Sequence, residues 1–446
     1  MRLTLWAAVA AATLLRLFCV AIPAEEGFLQ ADSPSYLGPA MALLSTGEYR
    51  SCPGCDTPSF RLPLYPAFVA SVFSPFGSCP RCVVAAQHLI AIGSAALLAT
   101  AVGLGAGPWI RALVFLFLLA NIQMIAQASV VLRESVTGSV VCLSLWLAAK
   151  PLDRLPRTIG LGLTVGSLGL CRPEYWPLAV LFPLVLALDG PRRGQRARFV
   201  PFVLVLAACS PLAAWFIRSQ IVAPQTGLST DSLTSVVSHL MLRRIEAHDR
   251  GLSIEAAGAL VRERFPKGKG LPSPIALVWT RPWAVTRSCL EASGRFWFLP
   301  GGYGELLEVF QQPLASPLKQ LIAGPQSVNW KAWLIERPGV FFLMIANVAQ
   351  VALLNGALLA GLTRKRVPWT DAGRLALLIV AAAAIAGVLT GDARVRGCAI
   401  PAIVLLAARA FTPRRPAATS GKSEGTPAIG ASLGQDQALH ASSRRQ

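Results

Sequence analysis

Apolar runs of membrane-spanning length recur along nearly the whole chain, and this pattern constrains the fold more than any motif does. From an amino end placed in the cytoplasm, the runs fall at residues 3–22, 83–104, 108–131, 135–149, 158–171, 175–189, 199–217, 339–362, 374–390 and 397–412, about ten spans in all. The expected fold class is therefore all-α: a polytopic helical membrane protein. With 54% hydrophobic and 14% charged residues, a soluble domain is excluded.

A formal charge of +19 would suit a nucleic-acid binder, but the basic residues come as short clusters between apolar runs. Arg111, then Lys150, Arg154 and Arg157, then Arg192, Arg193, Arg196 and Arg198, then Arg364, Lys365 and Arg366 all fall on one side. That is the positive-inside pattern of loops facing a cytoplasmic leaflet, so the bilayer is the expected partner and nucleic acid is not. The first run could be a secretory signal, since Ala-Ile-Pro-Ala precedes Glu25, but Arg16 interrupts it. It reads as a retained span whose arginine snorkels.

On this topology the chain divides into an N-terminal membrane core (1–217) with a first outer loop (23–82), an outer segment (218–338), C-terminal spans (339–412) and a Pro/Ser/Gly-rich tail (413–446) expected to be disordered in the cytoplasm. The outer segment is expected to be mostly helical. Its His239 and His248 lack a metal-ligand spacing, and Trp279, Trp283, Phe296, Trp297 and Phe298 could stack on a sugar or serve as core or interfacial belt.

The outer ends of the spans carry arginine beside acid. Residues 32–66 hold Asp32, Tyr36, Arg61 and Tyr65, and the later turns hold Arg133-Glu134, Arg172-Pro-Glu174 and Arg394-Val-Arg396. A cavity lined by such groups suits a phosphate-bearing substrate, because guanidinium is always charged and donates in a fork. Locally, Ser33 before Pro34 predicts a helix N-cap and Gly47 predicts its end, giving a short interfacial helix with Asp32 at its head. A second short apolar piece follows at 67–76. Cys52, Cys55, Cys79 and Cys82 form two CxxC pairs, CPGC and CPRC. In an outer loop one or two disulfides are expected, with the connectivity open, whereas in a cytosolic chain the same spacing would suggest zinc. The other six cysteines, among them Cys19, Cys142 and Cys209, read as small packing residues. There is no P-loop or Rossmann glycine pattern to support ATP-driven transport.

The order of these parts resembles the GT-C class of membrane glycosyltransferases, closest to bacterial relatives of protein O-mannosyltransferases and of the lipid A aminoarabinose transferase. The resemblance rests on Leu-Leu-Arg16-Leu, on Asp32 and Tyr36, on Arg61-Leu-Pro-Leu-Tyr65-Pro66, on Glu134, on Arg172-Pro173 and on Arg394-Val-Arg396 before Pro401. It covers residues 1–215 and, more loosely, the last spans. Where the family often has two adjacent acids this chain has Asp32-Ser33, and the CxxC pairs are atypical. The resemblance implies sugar transfer from a polyprenyl-phosphate donor to an acceptor hydroxyl of a protein, lipid or polysaccharide, on the outer face of a bacterial plasma membrane. In that reaction Asp32 is the general base, and Arg61, Arg133, Arg172 and Arg396 hold the phosphate. Glu134 and Glu174 would orient those arginines, bind acceptor hydroxyls or hold a divalent metal. The rival expectation is a flippase for the same lipid-linked sugar, which calls for polar residues deep within spans; His88, Asn347, Gln350 and Asn355 are the few present.

Overall fold

The computed structural model describes residues 2–56, 59, 61–102, 107–152, 154–188, 199–222, 233–265, 271–298, 306, 309, 338–363, 370–390 and 394–411. The expected tail at 413–446, the basic clusters at 192–198 and 364–366, and most of 299–337 lie outside the described residues.

The secondary structure among the described residues is helical. In chain order the α-helices are α1 (Arg2–Ala21), α2 (Pro34–Thr46), α3 (Leu64–Phe76), α4 (Pro80–Val102), α5 (Pro108–Ala120), α6 (Ile122–Ala128), α7 (Glu134–Ala148), α8 (Leu155–Cys171), α9 (Leu178–Leu188), α10 (Phe199–Val222), α11 (Leu233–Asp249), α12 (Ile254–Arg264), α13 (Pro274–Thr280), α14 (Pro282–Phe298), α15 (Pro338–Thr363), α16 (Asp371–Thr390) and α17 (Arg394–Ala408). By length and composition α4, α10, α15 and α16 are long and apolar enough to cross a membrane, and α5 with α6 makes a fifth if the bent pair is one span. The other expected spans correspond to shorter helices. Large apolar side chains are exposed along the bundle, including Leu17, Phe199, Phe202, Leu206, Ile221, Leu353 and Leu359, as a lipid-facing surface requires.

The main core joins α4, α5, α7, α8, α9, α10 and α15–α17. Its tightest seam is α8 against α10. A Cβ at Gly162 would come within 2.5 Å of the Ala207 Cβ, and one at Gly166 within 2.2 Å of the Ala208 carbonyl and 2.6 Å of Pro211. Small residues four apart bring two backbones together where no hydrophobic effect between lipid-exposed helices can do so. Gly166→Ala should cost about 1–3 kcal/mol of stability in detergent by forcing the seam apart. Gly160→Ala, on the same helix but facing open space, should be neutral or slightly stabilising. Equal melting shifts in the two variants would contradict this packing.

The α5–α6 pair bends by 51° at Asn121, and a break in an apolar layer leaves backbone groups that must find partners. Arg16 donates to the carbonyls of Leu119 (2.8 Å) and Leu118 (3.2 Å). Gln350 accepts from the Ile122 N–H (3.1 Å) and donates to the Ala120 carbonyl (3.0 Å). The Asn121 side chain accepts from the Met124 N–H (3.0 Å) and so caps α6. Arg16 therefore does not snorkel. It is 1% exposed and caps the C-terminal end of α5, where the helix dipole favours a cation. Its Nη1 meets His88 Nδ1 at 3.3 Å, and His88 Nε2 lies 3.2 Å from Ser129 Oγ, whose proton goes to the Ile125 carbonyl. Because arginine only donates, this chain assigns the neutral Nε2–H tautomer to His88.

Candidate functional site

Helices α2 and α3 fold back on the start of α4 and on residues 130–136 through a second apolar core of Phe28, Tyr36, Tyr65, Val69, Phe73, Val83, Val131 and Val136. This core positions the acid-and-arginine cluster. Proline opens α2, and Gly47 ends it in the left-handed region at φ 72°, as the sequence predicts. Ser33 departs from its expected role. It is helical (φ −57°, ψ −42°) and makes no side-chain cap. Instead its hydroxyl accepts from the Gln30 N–H (2.8 Å) and donates to the Val131 carbonyl (3.0 Å), pinning the head of α2 to the bend between α6 and α7.

Arg61 reaches back across this head. Its Nη2 lies 3.0 Å from Asp32 Oδ1, its Nε donates to Ser35 Oγ at 2.8 Å, and its guanidinium sits over the Tyr36 ring at 4.6 Å. The Arg61 backbone is held in turn by the Tyr49 hydroxyl, which donates to the Arg61 carbonyl at 2.9 Å. Tyr36 packs edge-on against Tyr65 at 5.1 Å, and the Tyr65 hydroxyl donates to Gln87 Oε1 at 2.8 Å. The Gln87 amide ties down the carbonyls of Ala128 (3.0 Å) and Val130 (2.7 Å). The Asp32 side chain is 48% exposed while that of Arg61 is 10% exposed, so the guanidinium is a buried support and the carboxylate opens outward.

Beyond Tyr36 lies the second half of the cluster. Arg172 pairs with Glu174 and, at 3.4 Å, with Glu134, all three nearly buried. Burial alone would lower the Arg172 guanidinium, but Glu174, Cys398 and Glu134 around it carry its pKa well above the ordinary value. Among the described residues Arg133 makes one long hydrogen bond, donating to the Cys171 carbonyl at 3.4 Å, and its buried Nε finds no partner. Burial also opposes the charge on Arg133, yet Tyr36, Glu134 and Glu174 hold its pKa above the usual one. Tyr36 is raised, chiefly by burial, with Arg133 and Arg61 pulling the other way. Tyr65 is raised well above the ordinary phenol value, also by burial. Glu134 Oε2 and the hydroxyls of Ser135 and Tyr175 are buried without partners, so unsatisfied donors and acceptors concentrate at the head of α7 and the turn after α8.

The structure thus brings Asp32, Tyr36, Arg61, Tyr65, Arg133, Glu134, Arg172 and Glu174 into one connected cluster, whereas Arg396 is engaged elsewhere. Arg396 is 2% exposed and donates to the carbonyls of Phe296 (3.0 Å) and Trp297 (3.3 Å) and to Gln123 Oε1 (3.1 Å). It caps the C-terminal end of α14 rather than waiting for a phosphate. The Arg394 backbone carbonyl accepts from Gln127 on α6 at 3.0 Å. Cys398, four residues on from Arg394, is the α17 side chain that reaches the cluster, 3.6 Å from Arg172 Nη1 and 3.7 Å from the Glu134 carbonyl. Arg396→Gln should lower stability by about 1–3 kcal/mol, since two helix-end carbonyls lose a buried charged donor, without removing a group from the acid cluster. A melting curve beside an activity measurement separates the two.

Among the described residues no group of three His, Cys, Asp or Glu side chains is placed to hold a metal ion. Glu134 and Glu174 are both engaged by Arg172, which suits the orienting role better than a metal pair. The disulfides are Cys52–Cys55 and Cys79–Cys82, each closing within its own CxxC, and Cys19, Cys142, Cys171 and Cys398 are buried free thiols. Of the aromatic run, Phe296 is core, whereas Trp279, Trp283 and Phe298 are exposed.

Ser35, Tyr49 and Gln87 were not singled out by the sequence reading. Gln87 carried a signal, as an amide inside an otherwise apolar run. Compared with models of known protein families and with curated proteins, the chain finds no match in either.

Proposed function

We propose that the protein transfers a sugar from a polyprenyl-phosphate donor to an acceptor hydroxyl, working as a multi-pass enzyme of about ten spans in a bacterial plasma membrane with its site facing outward. The observation that carries the proposal is the Asp32–Arg61–Tyr36 unit, with its half-exposed carboxylate and supporting guanidinium, in one cluster with Arg133, which makes no salt bridge among the described residues.

The roles follow from charge. A hydroxyl attacks poorly until its proton is taken, and Asp32, open to its surroundings, accepts that proton as the acceptor oxygen bonds to the anomeric carbon. The glycosidic C–O bond breaks with its electron pair moving onto the leaving phosphate. Arg133 and Arg61 would meet the developing charge, and arginines aimed at charge that appears in the transition state accelerate the reaction. Arg172 is held by two carboxylates, so its role is to fix Glu134 and Glu174, whose free oxygen at Glu134 can receive an acceptor hydroxyl. The prenyl chain would stay in lipid against the apolar helix faces. The test is purified protein in nanodiscs mixed with radiolabelled polyprenyl-phosphate sugars. The expected result is loss of label from the lipid fraction, and retention of all label across a panel of sugars and acceptors would overturn the proposal.

One observation favours the flippase alternative. Asn121, Gln123, Asn347, Gln350, Asn355 and Arg396 line a small cleft at the α5–α6 break, with room for about one water molecule. Broken helices lined by amides occur at substrate sites of transporters. Here, however, Gln350, Asn121 and Asn355 are engaged in closing helix ends, which gives this cavity a structural use already.

A further inference from the structure

The two CxxC disulfides differ in one respect that bears on their chemistry. Cys52–Cys55 lies in the irregular stretch between α2 and α3, whereas Cys79–Cys82 straddles the start of α4, with Cys79 immediately before the first helical residue Pro80. The Cys82 backbone N–H donates to Cys79 Sγ at 3.1 Å. Arg81, between the two cysteines in sequence, donates to the Pro23 carbonyl at 2.9 Å and lies 5.8 Å from the Phe28 ring. Both sulfurs belong to partly exposed residues.

A disulfide across four residues gains little from loop closure, so neither pair is an effective staple. A cysteine at a helix N-terminus, with a backbone N–H directed at its sulfur, has its thiolate stabilised. We propose that Cys79–Cys82 is an exchangeable redox pair taking electrons from dithiols, with Cys79 as the low-pKa thiol of the reduced form, and that Cys52–Cys55 is an ordinary bridge. In the exchange, a thiolate of the dithiol bonds to one sulfur of the pair. The S–S bond breaks with its electrons moving onto the other sulfur, which leaves as thiolate. The donor's second thiolate then attacks the mixed disulfide and releases the remaining cysteine, so two electrons pass and the donor ends as a disulfide. This inference does not rest on the transferase reading.

The test uses the full chain in detergent, reduced with dithiothreitol, pulse-alkylated with iodoacetamide between pH 5.5 and 9.5 and read peptide by peptide by mass spectrometry. Cys79 should become reactive about one pH unit or more below Cys52 and Cys55, and at pH 6.5 should alkylate roughly tenfold faster than either. In urea all four thiols should behave alike, which controls for folding. In a dithiothreitol titration Cys79–Cys82 should be reduced at roughly tenfold lower reductant than Cys52–Cys55, because a stabilised thiolate favours the reduced form. Matching pH profiles for Cys79 and Cys52, or the reverse order of reduction, would overturn the proposal.

Discussion

Asp32→Asn is expected to lower the proposed sugar transfer by roughly 10²–10⁴-fold, the range that removal of a positioned general base gives. The substitution keeps the shape of the side chain and its ability to accept from Arg61, and removes only the capacity to take a proton. Folding should survive. Asp32 is 48% exposed, and an exposed ion pair contributes about 1 kcal/mol or less, so the melting temperature should move little. The informative outcome is therefore a split, with activity lost and stability kept. Wild-type turnover in this variant would remove Asp32 from the chemistry, and a large loss of stability would show that its role is structural.

Arg172→Met has the opposite signature. Glu134 and Glu174 both point at this guanidinium from positions that are 8% exposed, so its removal strands two carboxylates in a dry environment. Breaking a buried ion pair from one side costs about 3–5 kcal/mol, far more than the net contribution of the pair, because the penalty is the uncompensated charge left behind. The triple variant Arg172→Met, Glu134→Gln, Glu174→Gln should recover most of that loss. Denaturant unfolding in a defined detergent reads both. If the single variant melts like wild type, the cluster is solvated and the account of its burial is wrong.

The apolar runs made the helical architecture legible, because hydropathy alone dictates that such stretches become helices facing lipid or one another. The acid–arginine cluster was legible as well. Asp32, Arg61, Arg133, Glu134 and Arg172 lie at run ends, and ends on one side of a bundle converge. Two arginines took other tasks than expected: Arg16, expected to snorkel, and Arg396, expected to hold the phosphate. Both are long donors that close helix C-termini, and Arg244 on α11 likewise donates to the Leu389 carbonyl at 2.7 Å near the end of α16. A sequence places an arginine at a depth but does not say which broken or terminating helix lies across from it. For the same reason the bend at Asn121 was invisible within a continuous apolar run, and the Ser33 hydroxyl, a sound N-cap by local rules, was claimed by a carbonyl 98 residues away.

The central claim is that a lipid-linked phosphate sits among Arg61, Arg133 and Asp32. Photocrosslinking with a polyprenyl-phosphate analogue that carries its reactive group beside the phosphate tests this directly. Label in peptides covering residues 28–40, 59–66 and 130–136, competed away by unlabelled polyprenyl phosphate and weakened by Arg133→Gln, is the expected result. Label concentrated instead on the Asn347–Asn355 stretch of α15 and on Arg396 would move the lipid phosphate to the cavity at the broken helix and contradict the account.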